Sequence, residues 1–533
     1  MQTRDCHPGL LGCAAMSREL EMKLIVDGPL DACALVERIR AHAEVGGGQQ
    51  RVQRDVYLDT PQAELAGAGL SARVRIVDGR RELCVKLVPI DAGLVMDRVE
   101  VNLELGAEAD AGSALRQLVA ERFGLVLRGE PVETLRLRTR RTRHTVRTPT
   151  LEAELAIDDV ELDDAPGFTE IELELEHGEE EALHRIAREI AALPGVSPSG
   201  RSKLARARAL AGLSAHAYST PLPRFDASWS SGRVARAVCA ALHRTMRGYE
   251  PGTRIGLDPE HLHKMRVATR RLRTALRVFA RCFAEDEHAR LSAEYKWLGR
   301  LLGDVRDLDV QRLALPKLME QFGAEPREGW TALERHMATR HEAARDRLLA
   351  GLDGPRYAAL LESARDTFSA EALDLGERAR QPIGTFGRRV LRKRVAAFER
   401  GLSKFRATHG TTEAHALRIV GKRLRYTAEF LGPLLGGDVR SRVGALRSFQ
   451  DQLGDIQDMV ATGELAGDLR REALDSEPGE GAYLFVLGQL AGAAAMKTSL
   501  AAPLVDRALE EARADALLAS LRDALDREQT TEE

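Results

Sequence analysis

Glu19-Leu20-Glu21-Met22-Lys23-Leu24 alternates charged and apolar side chains with a period of two, the pattern of a strand with one charged and one apolar face. The same period returns in Ser71-Ala72-Arg73-Val74-Arg75-Ile76, in Glu82-Leu83-Cys84-Val85-Lys86-Leu87, from Arg98 to Glu104, and in Glu170-Ile171-Glu172-Leu173-Glu174-Leu175. Helical stretches fall between these strands, at roughly 30–43, 108–123 and 178–192. Residues 16–211 therefore read as an α+β domain on a largely antiparallel sheet.

Working outward, the strand period stops and long helices with a 3.6-residue period occupy 229–525. Pro221, Pro223 and several serines mark 212–228 as a linker. Residues 1–15 match neither half and are expected to be a disordered extension, and 526–533 form an acidic tail. A chain of 533 residues is too long for one ordinary core. Its 44% hydrophobic and 30% charged content excludes wholesale disorder, and a net charge of −3 argues against a simple nucleic-acid binder. The six cysteines are scattered without pair spacing, which fits free thiols in a reducing compartment. No signal peptide opens the chain. The apolar run Gly481–Met496 is short, rich in Gly and Ala and broken by Gln489, so it reads as a core helix rather than a membrane span. A cytoplasmic protein is expected.

Residues two apart on a strand point the same way, so Glu19 with Glu21, and Glu172 with Glu174, form carboxylate pairs. Such pairs suit a hard divalent cation such as Mg²⁺. Arg73, Arg75, Lys86, Arg141 and Arg143 offer cations at similar spacing for charge-assisted bonds to a polyanion. Periodicity alone leaves two arrangements open: a solvated charged face, or a sheet rolled so that the charges line a lumen.

The order of these residues resembles the CYTH, or triphosphate tunnel metalloenzyme, superfamily over roughly residues 16–210. Glu19-Leu20-Glu21-Met22-Lys23 matches its ExExK signature. The match runs on through Arg54-Asp55-Val56-Tyr57-Leu58-Asp59-Thr60, Leu70–Arg75, Lys86, Arg98 and Glu100, Arg141 and Arg143, Glu154 and Asp158, Glu172 and Glu174, and Ser202-Lys203. The resemblance implies an eight-stranded antiparallel β-barrel tunnel with flanking helices that binds a triphosphate with two divalent ions, Mg²⁺ or Mn²⁺. By position it implies Glu19, Glu21, Asp158, Glu172 and Glu174 as metal ligands, with Glu154 assisting. Glu19, Glu21 and Lys23 would serve catalysis. Lys23, Arg54, Arg73, Arg75, Lys86, Arg141, Arg143 and Lys203 would contact phosphate, and Glu100 would hold neighbouring arginines in place.

In the helical half a segment repeats. His263-Lys264-Met265-Arg266-Val267-Ala268-Thr269-Arg270-Arg271-Leu272-Arg273 returns as His415-Ala416-Leu417-Arg418-Ile419-Val420-Gly421-Lys422-Arg423-Leu424-Arg425. Each copy is followed by a Leu-Gly-Asp element, at Leu302–Asp307 and Leu453–Asp458. On a helix, His263, Arg266, Arg270, Arg273 and Arg277 fall in one stripe about 21 Å long, opposite Leu272, Ala275, Leu276 and Phe279. His415, Arg418, Lys422 and Arg425 repeat it. Like charges at this spacing repel, so a one-sign stripe kept in two copies calls for an anionic partner rather than a solvated face. Arg233, Arg236, His243, Arg247, Arg388, Arg389, Arg392 and Lys393 sit earlier in each half and are expected to line the same groove. The Asp304/Asp307 and Asp455/Asp458 pairs are expected to orient the arginines.

The paired helices resemble the CHAD, or conserved-histidine α-helical, domain over about 229–525. That resemblance implies two pseudo-symmetric four-helix bundles around a basic channel for inorganic polyphosphate, with contacts from His263, Arg266, Arg270, Arg273, Arg277, Arg389, Lys393, His415, Arg418, Lys422 and Arg425. The expectation is an inorganic triphosphatase with a polyphosphate-docking domain, with no membrane partner and an association with polyphosphate granules open to it. A non-catalytic polyphosphate-binding protein and an enzyme acting on thiamine triphosphate or ATP are the alternatives. Aromatic content of 4% and the absence of a base-contact motif in the stripes count against organic triphosphates and nucleic acid.

Overall fold

A computed structural model describes residues 16–88, 95–163, 165–213, 218–323, 326–369, 376–435, 481–499, 501–511 and 513–526, with 444, 446–447, 466–467 and 469–471. Residues 1–15, the tail beyond Asp526, and Asp455 and Asp458 lie outside the described residues. Contacts divide the chain into two compact units. One is Met1–Tyr218 with Gly248–Leu262, and the other is Ser219–Arg247 with His263–Glu533.

Eight long strands organise the first unit: β1 (Met16–Val26), β3 (Gln49–Asp59), β4 (Leu70–Val77), β5 (Arg80–Leu87), β6 (Val95–Leu105), β7 (Val132–Thr148), β8 (Leu151–Leu162) and β9 (Phe168–Gly178). The short β2 (Glu44–Val45) and β10 (Val196–Pro198) add to β7 and β1. Every pairing among the described residues is antiparallel, in the order β1-β6-β5-β4-β3-β7-β8-β9. β9 then pairs back onto β1, so the eight strands form a ring. The expected tunnel of eight strands is present.

Helices decide which face of the sheet is inside. α1 (Ala32–Arg40) and α4 (Glu180–Ala191) bury Leu35, Ile39, Leu183, Ile186 and Ile190 against Met22, Leu24, Leu155, Ile171 and Leu173. The one-turn α2 (Glu64–Gly67) with Leu65, and α3 (Ala111–Phe123) with Leu115, Leu118, Val119 and Phe123, pack on Leu70, Ala72, Val74, Leu83, Val85 and Val101. The apolar faces thus look outward into helices, and the charged faces look into the lumen. Burying the apolar set is worth about 25 cal/mol per Å² removed from water, which fixes register as well as face. Inward-facing Tyr57, Leu137, Val160 and Phe168 meet Ala207 of α5 (Lys203–Leu210), with Leu204 against them. This apolar layer lies inside the ring, beside the charged lumen.

From Ser231 on the described chain is helical: α6 (Ser231–Ile255), α7 (Pro259–Val278), α8 (Glu285–Phe322), α9 (Arg327–Asp353), α10 (Pro355–Phe368), α11 (Ile383–Thr408), α12 (Thr411–Phe430), α13 (Gly481–Ser499), α14 (Ala501–Glu511) and α15 (Ala514–Asp526), with the end of α6 and the first residues of α7 counted in the first unit. Its repeat shows in reciprocal bonds between the starts of α6 and α11. The Ser231 amide donates to the Gln381 carbonyl, and the Ile383 amide donates to the Trp229 carbonyl. Likewise Gly232 donates to Ala379, and Gly384 to Ala227. Each bond maps onto its mate by the 152-residue spacing that separates His263 from His415. The two copies are therefore related by a local two-fold.

α13 buries Tyr483, Val486, Leu487 and Leu490 against Trp330, Leu333 and Met337 of α9, as expected of a core helix. Its other face leaves Phe485 54% exposed. Among the described residues, no helix is long and apolar enough to cross a membrane.

Candidate active site and anion groove

The lumen holds a cavity of about 180 Å³ lined by Glu21, Lys23, Arg73, Arg75, Glu82, Lys86, Glu100, Arg141, Arg143, Glu172, Glu174 and Lys203, among others. Seven of those side chains are cationic and five are carboxylates, so the lining favours an anion. Register sorts them into rows across β1, β9 and β8. Glu21 stands opposite Glu174, and Glu174 opposite Glu154. Two residues deeper, Lys23 faces Glu172. The next inward-facing row sets Glu170 opposite Asp158, and Asp158 opposite Arg141 on β7.

The deep rows are internally neutralised. Asp158 is fully buried and takes two bonds from Arg141, at 2.7 and 2.5 Å, and one from Lys203 Nζ. Glu172 accepts from Lys23 and Arg141. Lys203 Nζ also lies 3.2 Å from Glu170. Burial raises the Asp158 and Glu172 carboxyls, but Lys203 with Arg141, and Lys203 with Lys23 and Arg141, outweigh it and hold both below the usual range. For Glu170 burial prevails over Lys203 and Lys23, and its carboxyl sits above the usual range.

The outer row behaves differently. Glu174 is pushed up by burial, relieved in part by Lys86 and pushed further by Glu21, Glu154 and Glu172. Arg143 reaches Glu154 at 2.9 Å. Like charges directly opposite on adjacent strands repel, and here three carboxylates stand side by side. An all-oxygen donor set of this kind fits a hard divalent cation. The oxygens of Asp158, Glu170 and Glu172 also lie within 4.8 Å of one another, a spacing compatible with an ion. There, however, two ammonium groups and a guanidinium already supply the positive charge. The outer row also has cations at hand, Arg143 on Glu154 and Lys86 near Glu174, but fewer of them for its carboxylates than the deep row has.

On the opposite wall, Asp55 binds Arg75 at 2.9 Å and approaches Arg73 at 3.7 Å. Burial raises the Asp55 carboxyl, and the two arginines more than reverse this, leaving it far below the usual range. Glu100 pairs with Lys86 at 2.5 Å and accepts from Cys84 Sγ at 2.7 Å, so the cation it holds is a lysine where the sequence pointed to arginines. Arg54 is exposed, on the opposite face of β3 from Asp55 and Tyr57, and does not line the cavity. Glu19 lies on β1 opposite Arg98, and both side chains are outside the described residues. Sequence reasoning did not assign roles to Glu170 and Asp55, although both sit at inward positions of strands it had quoted.

In the helical unit the two stripes converge. Arg270 Nε donates to the Tyr426 hydroxyl at 3.1 Å, and Arg425 lies over the same ring at 4.6 Å. Lys422 feels Arg270, Arg418, Arg266 and Arg425, in that order after burial, and its pKa falls to about 7. Burial, then Arg306, Arg270, Lys264 and Arg266, lower His263 to about 4, so it is a neutral imidazole at physiological pH. Arg277 of α7, Arg394 of α11 and Arg423 of α12 form a second cluster, each of the first two lowered by burial and by its arginine neighbours. Arg273 is lowered by burial and Arg300. Asp307 pairs with Arg266 at 3.1 Å, the orienting contact expected from the first Leu-Gly-Asp element.

Not every expected cation joins the convergence. Arg389 and Lys393 are exposed, while Arg388 and Arg394 on the same helix are half-buried. His415 is exposed where its mate His263 is half-buried. Arg233 stacks on Trp229 at 3.5 Å, His243 contacts the Tyr295 hydroxyl at 2.8 Å, and Arg392 bonds the Leu525 carbonyl at 2.8 Å. Tyr426 carries no charge, so a search for basic stripes passes over it.

Family models for the CYTH domain match residues 17–207, and for the CHAD domain residues 237–467. The chain joins a CYTH domain to a CHAD domain. It is 30% identical over 207 residues to the uncharacterized protein MT2285 of Mycobacterium tuberculosis, a match that spans 38% of this chain and 39% of that one. Among solved structures, the CHAD domain from the plant Ricinus communis is 26% identical with a TM-score of 0.43, covering 57% of this chain and 96% of that one. The putative adenylyl cyclase HpAC1 from Hippeastrum, described as having a dominant triphosphatase activity, is 23% identical with a TM-score of 0.29, covering 37% of this chain and 97% of that one. The lumen thus belongs to the CYTH domain and the converging stripes to the CHAD domain.

Proposed function

We propose that the CYTH lumen hydrolyses inorganic tripolyphosphate with the help of a divalent cation, and that the CHAD groove binds inorganic polyphosphate. The observation that carries the first part is the row Glu21, Glu174 and Glu154 set beside a wall of cations. Glu21, Glu174 and Glu154, with Glu19 on the same strand, would hold Mg²⁺ or Mn²⁺, which supplies Lewis-acid stabilisation of the phosphoryl charge and an activated water.

The chain's own residues do the positioning. Arg73 and Arg75, oriented by Asp55, and Lys86, oriented by Glu100, present donors to phosphate oxygens from one wall. Arg141, Lys23 and Lys203 do so from the other, where Glu172 and Asp158 keep them in place before substrate arrives. Phosphoryl transfer needs little covalent help and depends on such positioning and charge. Among the described residues Tyr57 is the one aromatic side chain lining the cavity, and Phe168 packs beside it in the apolar layer outside that lining, which favours an inorganic substrate over thiamine triphosphate or ATP. The apolar layer of Leu137, Val160, Phe168 and Leu204 favours a short substrate or a chain end over a threaded chain.

The test is phosphate release from tripolyphosphate with metal and chain length varied, run beside Glu21→Gln. Release by the native protein that depends on divalent metal and is lost in the variant supports the reading. No release above the variant with any divalent metal would leave the lumen as an anion clamp.

A further inference from the structure

Lys422 stands where the two repeat helices of the CHAD domain meet. It occupies on α12 the position that Arg270 holds on α7, 152 residues earlier. Arg418 and Arg425 flank it at helical-neighbour spacing on α12. Arg270 reaches across from α7 to Tyr426, one helical turn after Lys422 and on the same face of α12. The bond from Arg270 to the Tyr426 hydroxyl, and the stacking of Arg425 on that ring, fix the two helices in this relation. The lysine is half-buried rather than sealed, so small solutes reach it.

Arginine keeps its proton in proteins, so the repulsion within this cluster falls on its one lysine. Burial and the four arginines bring that amine to about 7, leaving much of it neutral at cellular pH. A lysine desolvated beside other cations is an activated nucleophile. Guanidinium groups that bind phosphate oxygens would hold a phosphate-bearing electrophile against it at high effective concentration.

We propose that Lys422 is an acylation site for acyl phosphates, with the surrounding arginines docking the phosphate while the amine attacks the adjoining carbonyl carbon. The N–C bond forms, the C–O bond to phosphate breaks, inorganic phosphate departs through the arginine cluster, and the amine proton passes to water. The product is an uncharged amide at the centre of the groove. The acylation step rests on the cluster alone. Its consequence, weaker retention of long polyphosphate, rests on the function proposed for the groove.

Full-length protein incubated with acetyl phosphate at pH 7.5, followed by peptide mass spectrometry, reads the rate at each lysine. Exposed Lys296, Lys393 and Lys404 serve as references within the same molecule. Lys422 is expected to react about tenfold or more faster than these, because an ordinary lysine at that pH is almost wholly protonated. Between pH 7.5 and 8.5 the references should gain about tenfold while Lys422 gains little. Excess pyrophosphate should slow Lys422 alone, and Arg418→Gln should lower its rate while the references stay put. Equal rates at Lys422 and the references would overturn the site. A fast Lys422 indifferent to pyrophosphate would overturn the phosphate docking. If acetylation at Lys422 occurs but long-chain binding is unchanged, the site stands and the polyphosphate reading of the groove falls.

Discussion

Glu21 and Glu174 face each other directly across the β1–β9 ladder, two carboxylates at one rung with Glu154 at the next position along the row. Removing either charge relieves repulsion in the metal-free protein and, on the proposed function, would remove an oxygen ligand from the loaded one. Glu21→Gln or Glu174→Gln should therefore cut metal-dependent phosphate release at least about 100-fold, by analogy with loss of one preorganised charge-stabilising group. The same variants should keep or raise the thermal midpoint in chelator, measured by calorimetry.

Lys203 is bound to Asp158 and lies near Glu170 and Glu172, with its own side chain buried. Lys203→Met leaves these buried carboxylates with one cation fewer. Breaking a buried pair from one side costs about 3–5 kcal/mol, so the urea midpoint of the CYTH domain should drop sharply. A double variant Lys203→Met/Asp158→Asn should recover part of the loss.

Asp55 supplies the pH signature. Its folded carboxyl lies below its unfolded value because Arg73 and Arg75 outweigh burial. Its stabilising contribution is therefore fully present above the unfolded pKa of about 4 and disappears as pH falls toward the depressed folded value. Thermal midpoints collected from pH 7 down to pH 2 should show an acid limb that is shallower in Asp55→Asn than in the native chain.

Reversing Arg266, Arg270, Arg418 and Lys422 to Glu should abolish binding of long polyphosphate while leaving tripolyphosphate turnover intact. Native binding should also weaken steeply with added salt, since exposed charges are screened within about 8 Å at physiological ionic strength. Filter binding across a salt series measures both.

The period-two strands carried the barrel domain because each side chain's face follows from its parity, and the helical repeat carried the second domain because its charges recur at helix spacing. What alternation left open was which face turned inward. The answer came from Leu115, Leu118 and Phe123 on one helix and Leu183, Ile186 and Ile190 on another, residues remote in sequence that claim the outer apolar faces. Arg54 illustrates the limit of reading motif order without parity: Asp55 and Tyr57 face inward, so their neighbour faces out. On α11 the exposed Arg389 and Lys393 are one helical face, and Arg394, one residue on, turns toward Arg277 and Arg423. Charge density alone does not distinguish those faces. Tyr426 and the apolar layer around Phe168 depend on contacts between distant segments and have no local signal.

The reciprocal bonds between Ser231 and Gln381, and between Ile383 and Trp229, set the two repeat copies about a local two-fold, so the groove proposed between their stripes would offer basic residues from both sides. On that reading a linear ligand would meet His263, Arg266, Arg270 and Arg273 from one side and His415, Arg418, Lys422 and Arg425 from the other. A molecule with a direction, such as a peptide or a nucleic-acid strand, gains nothing from that arrangement, because one sense of entry wastes what the other fits. A chain whose two ends are chemically identical can enter either way, which doubles its productive encounters and lets it slide without ever being backwards.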